Sequence, residues 1–335
     1  MKLILHIGTH KTGTTAIQRF LASNKEALKE LGVAYPGYGD VLKDKESHYA
    51  HIDIPKGLMG QSKTLSPDDS REFLRGIREY GEVTGCNTVI LSAESFMRGA
   101  LGPSSKKWNK IDAFVKEVRD SLLFDDVEIS LTLRNLSTYL PSLYNEHIKV
   151  TDYHEDIVSF YHQFRERFNY PRIIHSWQKC FPNVKCVQYE TLGKGEDFIK
   201  NWLNNVLSIE DFTKLNFSGR PRNISWPLEF VAIKRDLNKH LTTQERSKLR
   251  TAITTYLELE DVSKESFPNE TWLTPSIMES IVNSHESEFK EVLPSYGIKA
   301  EALLDYSEVE NQRRFQGVSE ETYNSFLKAI FKRNV

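Results

Sequence analysis

Residues 5–15 read Leu-His-Ile-Gly-Thr-His-Lys-Thr-Gly-Thr-Thr. The apolar run over residues 2–7 predicts a short β-strand that Gly8 ends. Beyond the loop, Ile17, Phe20, Leu21, Leu28 and Leu31 recur at helical spacing until Gly32 stops the pattern. A strand, a glycine-framed loop and a helix in succession make the context in which backbone holds an anion. Glycines let the chain turn tightly and aim N–H groups inward, the helix start adds unpaired donors and its dipole, and Lys11 adds a full charge. Gly8 and Gly13 are spaced as in the nucleotide pattern GxxxxGK[ST]. Thr14 stands where that pattern demands Lys, and the lysine lies ahead of the second glycine, at position 11.

Further along, Ser66-Pro67-Asp68-Asp69 reads as a helix start, with a capping Ser, Pro at the first helical position and acids in the first turn. Strands are predicted over 88–91, 127–133 and 184–188, separated by amphipathic helices. A helix is expected from about Thr138, with Pro141 in its first turn, and another over about 196–206. The stretch from Tyr35 to Ser66 reads as a long irregular loop of the kind that is often functional. This alternation predicts a three-layer α/β/α fold with a central parallel sheet, similar to P-loop NTPases, and ligands belong at the carboxyl ends of its strands. Past about Glu210 the pattern is helical and charged, without clear strands. The expected organisation is a single domain over 1–335, with a nucleotide-binding core over about 1–225 and a mostly helical extension over about 226–335.

HKTGTT, with its lysine ahead of the second glycine, resembles the 5′-phosphosulfate loop of the sulfotransferases that use 3′-phosphoadenosine 5′-phosphosulfate (PAPS), with His10 in place of the family's usual proline. Arg134, followed by Ser142 eight residues on and Tyr144 two beyond, resembles the same family's 3′-phosphate segment, with Leu136 and Thr138 replacing its usual Pro and Asp. Trp177, Phe181 and Tyr189-Glu190-Thr191-Leu192 resemble a further family segment, in which Glu190 reads as a structural acceptor. The resemblance covers residues 1 to about 225. It implies PAPS as co-substrate, with no metal. It also implies that His10, Lys11, Thr12, Gly13, Thr14 and Thr15 hold the 5′ end and that Arg134 and Ser142 hold the 3′ phosphate. Arg222, in the basic loop 220–225, reads either as a group closing over the nucleotide or as an exposed basic turn.

Transfer of a sulfuryl group needs charge neutralisation on the leaving oxygen, which suits Lys11, and a base for the acceptor's proton. Glu94, just past the strand at 88–91, is the first choice for that base. Its alternative role is to cap the following helix. His48 is the next choice, with His51 beside it in the 35–66 loop, while His6 reads as a core residue. A Glu base and the aromatic content point, by analogy alone, to a carbohydrate hydroxyl or a small molecule as acceptor. The competing functions are a P-loop kinase or nucleotide hydrolase, which needs a lysine directly before Thr15, and a non-catalytic nucleotide-binding protein.

Composition narrows the field. The 335 residues are 39% hydrophobic and 27% charged, with formal net charge -2, which argues for a folded protein and against a nucleic-acid surface. Three cysteines are too few for a disulfide framework. No run of about 18 apolar residues is present, so no membrane insertion is expected, and a cytoplasmic protein is.

Overall fold

A computed structural model of the chain describes residues 1–98, 107–218, 225–259 and 269–333. The chain runs β1 (Lys2–His6), α1 (Thr14–Ser23), α2 (Lys25–Glu30), β2 (Val33–Ala34), α3 (Tyr38–Val41), α4 (Asp53–Leu58), α5 (Pro67–Val83), β3 (Thr88–Ser92), α6 (Ser95–Arg98), α7 (Lys107–Ser121), β4 (Asp126–Leu133) and α8 (Leu136–Val150). It continues through α9 (Ile157–Phe164), α10 (Tyr170–Gln178), β5 (Asn183–Gln188), α11 (Gly195–Leu207), α12 (Leu228–Asn238) and α13 (Thr243–Leu259). The last elements are β6 (Glu270–Thr271), α14 (Pro275–Val292), α15 (Ala300–Leu304), α16 (Ser307–Glu310), β7 (Arg313–Arg314) and α17 (Glu320–Arg333).

The residues fall into two compact units. The first comprises Met1–Asn135, Glu166–Arg220 and His285–Leu303, and the second Leu136–Arg165, Pro221–Ser284 and Leu304–Val335. The first unit holds a five-stranded parallel sheet in the order β2-β3-β1-β4-β5. Leu3 pairs with Val89 on one side and Val127 on the other, so β1 lies at the centre. Buried on both faces, β1 and β3 carry continuous apolar runs over Leu3–Leu5 and Val89–Leu91, whereas β4 alternates Val127, Ile129, Leu131 and Leu133 with Glu128, Ser130 and Thr132. Ile4, Ile90 and Val187 pack on one face with Ile17 and Leu21 of α1 and Trp202 and Leu203 of α11. Helix α5 lies against β3 on the other face, where a side chain at Gly81 would meet Val89 at 2.8 Å. The fold is thus α/β, with a central parallel sheet between helical layers.

The expected start of α5 is present in detail. The Ser66 hydroxyl accepts the Asp69 N–H at 3.0 Å, and the Asp69 carboxylate accepts the Ser66 N–H at 2.8 Å. Three expectations need correction. The helix after the loop is broken at Asn24, whose side-chain amide donates to Phe20 O and Asn216 O while its Oδ1 accepts the Asn216 N–H. The 35–66 stretch is not wholly irregular, since it carries α3 and α4 and is pinned by Tyr35, whose hydroxyl donates to Tyr49 O, and Tyr38, whose hydroxyl donates to Ala50 O. Helix α8 begins at Leu136 rather than near Thr138, which places Pro141 inside it, where the missing N–H removes one helical bond.

The second unit is helical around an aromatic core that includes Tyr144, Phe160 and Trp272. Asn238 ties α12 to the end of α8, its amide donating to Ile148 O at 3.2 Å and Tyr153 O at 2.8 Å. A parallel pair, β6 with β7, is the strand pairing that the charged C-terminal pattern did not announce. Among the described residues no helix is long and apolar enough to cross a membrane.

Candidate active site

The loop after β1 is built by its own side chains. Thr9 is fully buried, with its hydroxyl donating to Thr132 O at 2.9 Å and its N–H donating to the same carbonyl. The Thr12 hydroxyl donates back to Thr9 O at 2.6 Å. These two hydroxyls brace the loop, so at Thr12 it is the backbone that is left to meet a ligand. Gly8 and Gly13 both have positive φ, +38° and +73°. A Cβ at Gly8 would come within 2.8 Å of Thr14 Cγ2, and one at Gly13 within 2.3 Å of the Phe198 ring, so both positions require glycine. The first intrahelical bonds of α1 run from Ala16 and Ile17 to Gly13 O. The N–H groups of Thr14 and Thr15 therefore lie in the helix-start region that attracts anions.

Lys11 is also left-handed, at φ +64°. Backbone of that kind in a non-glycine residue is held by its surroundings. Here Arg134 supplies the hold, donating from Nη1 to Lys11 O at 2.5 Å. Arg134 follows the carboxyl end of β4. Its guanidinium lies 4.9 Å from the centre of the Tyr189 ring, and its carbonyl accepts the Tyr170 hydroxyl at 2.7 Å. Glu190 accepts the Asn135 N–H at 2.9 Å, the structural part expected of it. The sequence motifs at the ends of β1, β4 and β5 thus meet at one edge of the sheet.

Glu94 follows β3 at the same edge, because β3 is parallel to β1 and adjacent to it. Its carboxylate Oε1 is 4.0 Å from His10 Nδ1, and both side chains are mostly buried. Its Oε2 accepts a hydrogen bond from Gln18 Nε2 at 3.0 Å. No sequence motif marks Gln18. Its one visible signal is that a polar residue follows Ile17 on the buried face of α1.

The histidines separate by environment. His51 is 1% exposed, its Nδ1 accepts the Ser92 N–H at 3.0 Å, and its Nε2 therefore donates to Pro36 O at 2.6 Å. Burial pulls its pKa down to about 4, so it is a neutral strut with both ring nitrogens committed. His6 is fully buried, as expected of a core residue, with Nδ1 2.9 Å from Ser92 Oγ, and burial lowers its pKa to about 3. His48 is exposed and lies against the Tyr49 ring, which Arg19 of α1 covers at 5.1 Å. Ser142 lies on α8, in the second unit. Arg222 falls outside the described residues. Among the described residues no group of three or more His, Cys, Asp and Glu is placed to hold a metal ion.

No family model matches the chain, and no curated protein does. Among solved structures, a sulfotransferase from Alicyclobacillus acidocaldarius is similar over 91% of this chain and 99% of its own, at 11% identity and a TM-score of 0.47. A likeness of that degree decides nothing about activity.

Proposed function

We propose that the chain is a sulfotransferase that moves the sulfuryl group of PAPS to an acceptor hydroxyl. The observation that carries this is the carboxylate of Glu94, 4.0 Å from His10 of a glycine-framed loop that also bears Lys11. An anion cradle and a proton acceptor side by side are what in-line transfer to an alcohol needs. The cradle suits a phosphosulfate, since Gly8 and Gly13 let the loop take the left-handed turns that bring its backbone around an anion, and Thr14 replaces the lysine of ATP and GTP loops.

PAPS supplies the sulfuryl group, already joined to a good leaving phosphate. The chain's residues do the rest. Lys11 and the amides at the start of α1 neutralise charge on the leaving oxygen as the bond from sulfur to that oxygen breaks. Glu94 takes the proton from the acceptor hydroxyl as its oxygen bonds to sulfur. The products are the sulfated acceptor and adenosine 3′,5′-bisphosphate. Arg134, Ser142 and Arg222 are assigned to the 3′ phosphate and the nucleotide by resemblance, and a carbohydrate is the acceptor class we favour.

Bisphosphate release from PAPS in the presence of a panel of sugars and phenols tests this. Wild-type chain is expected to turn over. Glu94→Gln should lose about 10²- to 10⁴-fold in kcat with the KM for PAPS unchanged, while His48→Ala stays within about twofold. The reverse ranking transfers the base role to His48. Consumption of ATP with Mg²⁺ and none of PAPS makes the chain a kinase or hydrolase instead.

A further inference from the structure

Gln18 is 2% exposed and lies one turn along α1 from Thr14, which is also buried. Its side-chain nitrogen is 3.0 Å from Glu94 Oε2 and 3.3 Å from the Ser92 carbonyl. Both neighbours are acceptors only, because Ser92 O is a backbone carbonyl and Glu94 a carboxylate. The NH₂ end of the amide must therefore face them, and its two protons match the two acceptors. Ser92 O has a second lone pair, which takes the His51 N–H at 3.1 Å. The end of β3 is thus clamped from the loop by His51 and from α1 by Gln18, immediately before Glu94.

We infer that Gln18 is a positioning residue, which aims the Glu94 carboxylate at the acceptor and ties that aim to the phosphate-binding helix. The inference rests on Glu94 as the base. The two carboxylate oxygens have separate neighbours, Gln18 at Oε2 and His10 at Oε1. Residues 10 and 18 flank the start of one rigid element, whose first turn offers its amides to the sulfuryl donor. Whatever anion seats there is set against the base through α1 itself, and not through a mobile loop. Displacement of a reacting group by about 1 Å costs on the order of a hundredfold, so such a clamp has a kinetic consequence.

Gln18→Met keeps length and helix propensity while removing the donor. It should lower kcat about ten- to a hundredfold, leaving the KM for PAPS and the affinity for adenosine 3′,5′-bisphosphate within about twofold. In a Glu94→Gln background the same change should cost nothing further, since the group it orients is already gone. Gln18→Asn, which keeps the amide but withdraws it by one methylene, carries the same prediction if the methionine variant does not fold. Wild-type kcat in a folded Gln18 variant overturns the inference, as does a multiplicative loss in the double variant or a parallel loss of bisphosphate affinity. Full activity in Glu94→Gln overturns the base assignment and this inference with it, whereas an inactive Glu94→Gln beside a fully active Gln18→Met overturns this inference alone.

Discussion

Lys11 at φ +64° costs on the order of 1–3 kcal/mol of local strain, which Arg134 offsets by bonding its carbonyl. Two buried histidines in the same unit make its stability depend on pH. His51 and His6, both fully buried, have pKa values lowered to about 4 and about 3, with burial as the leading cause. In the unfolded chain an ordinary histidine titrates near 6.5, so between about 6.5 and 4 the unfolded state binds more protons than the folded one. Stability is therefore full above about pH 6.5 and falls as pH drops toward the folded values. The thermal midpoint should decline over pH 6.5 to 4.5, and His51→Gln should flatten part of that decline. Equal slopes in wild type and variant would contradict the assignment of His51 as a buried neutral strut.

At the scale of elements, the loop depends on a contact that only its own geometry creates. Gly13 opens α1 in the left-handed region, and the Phe198 ring of α11 occupies the place of its absent side chain. Gly13→Ala adds left-handed strain and overpacking, together about 1–3 kcal/mol, and trimming Phe198 to Ala in the same chain should restore part of the loss. Chemical denaturation of the single and double variants measures this, and a double variant no more stable than Gly13→Ala contradicts it. Periodic elements were legible in advance: β1, β3, β4, β5 and α5 lie within a residue or so of their expected bounds, because apolar runs and a capping box are local signals. The break at Asn24 was not, since its partner Asn216 lies 192 residues away. Pro141 falls inside its helix and not in the first turn because that helix starts at Leu136, two residues ahead of the expected Thr138. Glu94 was legible from its strand end, but the Gln18 contact spans 76 residues and no local pattern announces it.

For the molecule as a whole, parallel topology is what turns scattered motifs into one site. Residues 7–13, 93–94, 134 and 189–190 are far apart in sequence, yet each follows a strand of one sheet at the same edge. If the chain is the proposed sulfotransferase, this edge grips a nucleotide phosphorylated at its 3′ and 5′ positions, and the ligand's effect on thermal stability reads that grip. At about a hundred times its Kd a ligand adds about 2.7 kcal/mol, a rise of several degrees in the thermal midpoint. Adenosine 3′,5′-bisphosphate without metal should produce that rise in the wild-type chain and a much smaller one in Lys11→Ala. A rise with ATP and Mg²⁺, and none with the bisphosphate, would contradict a bisphosphate grip at this edge.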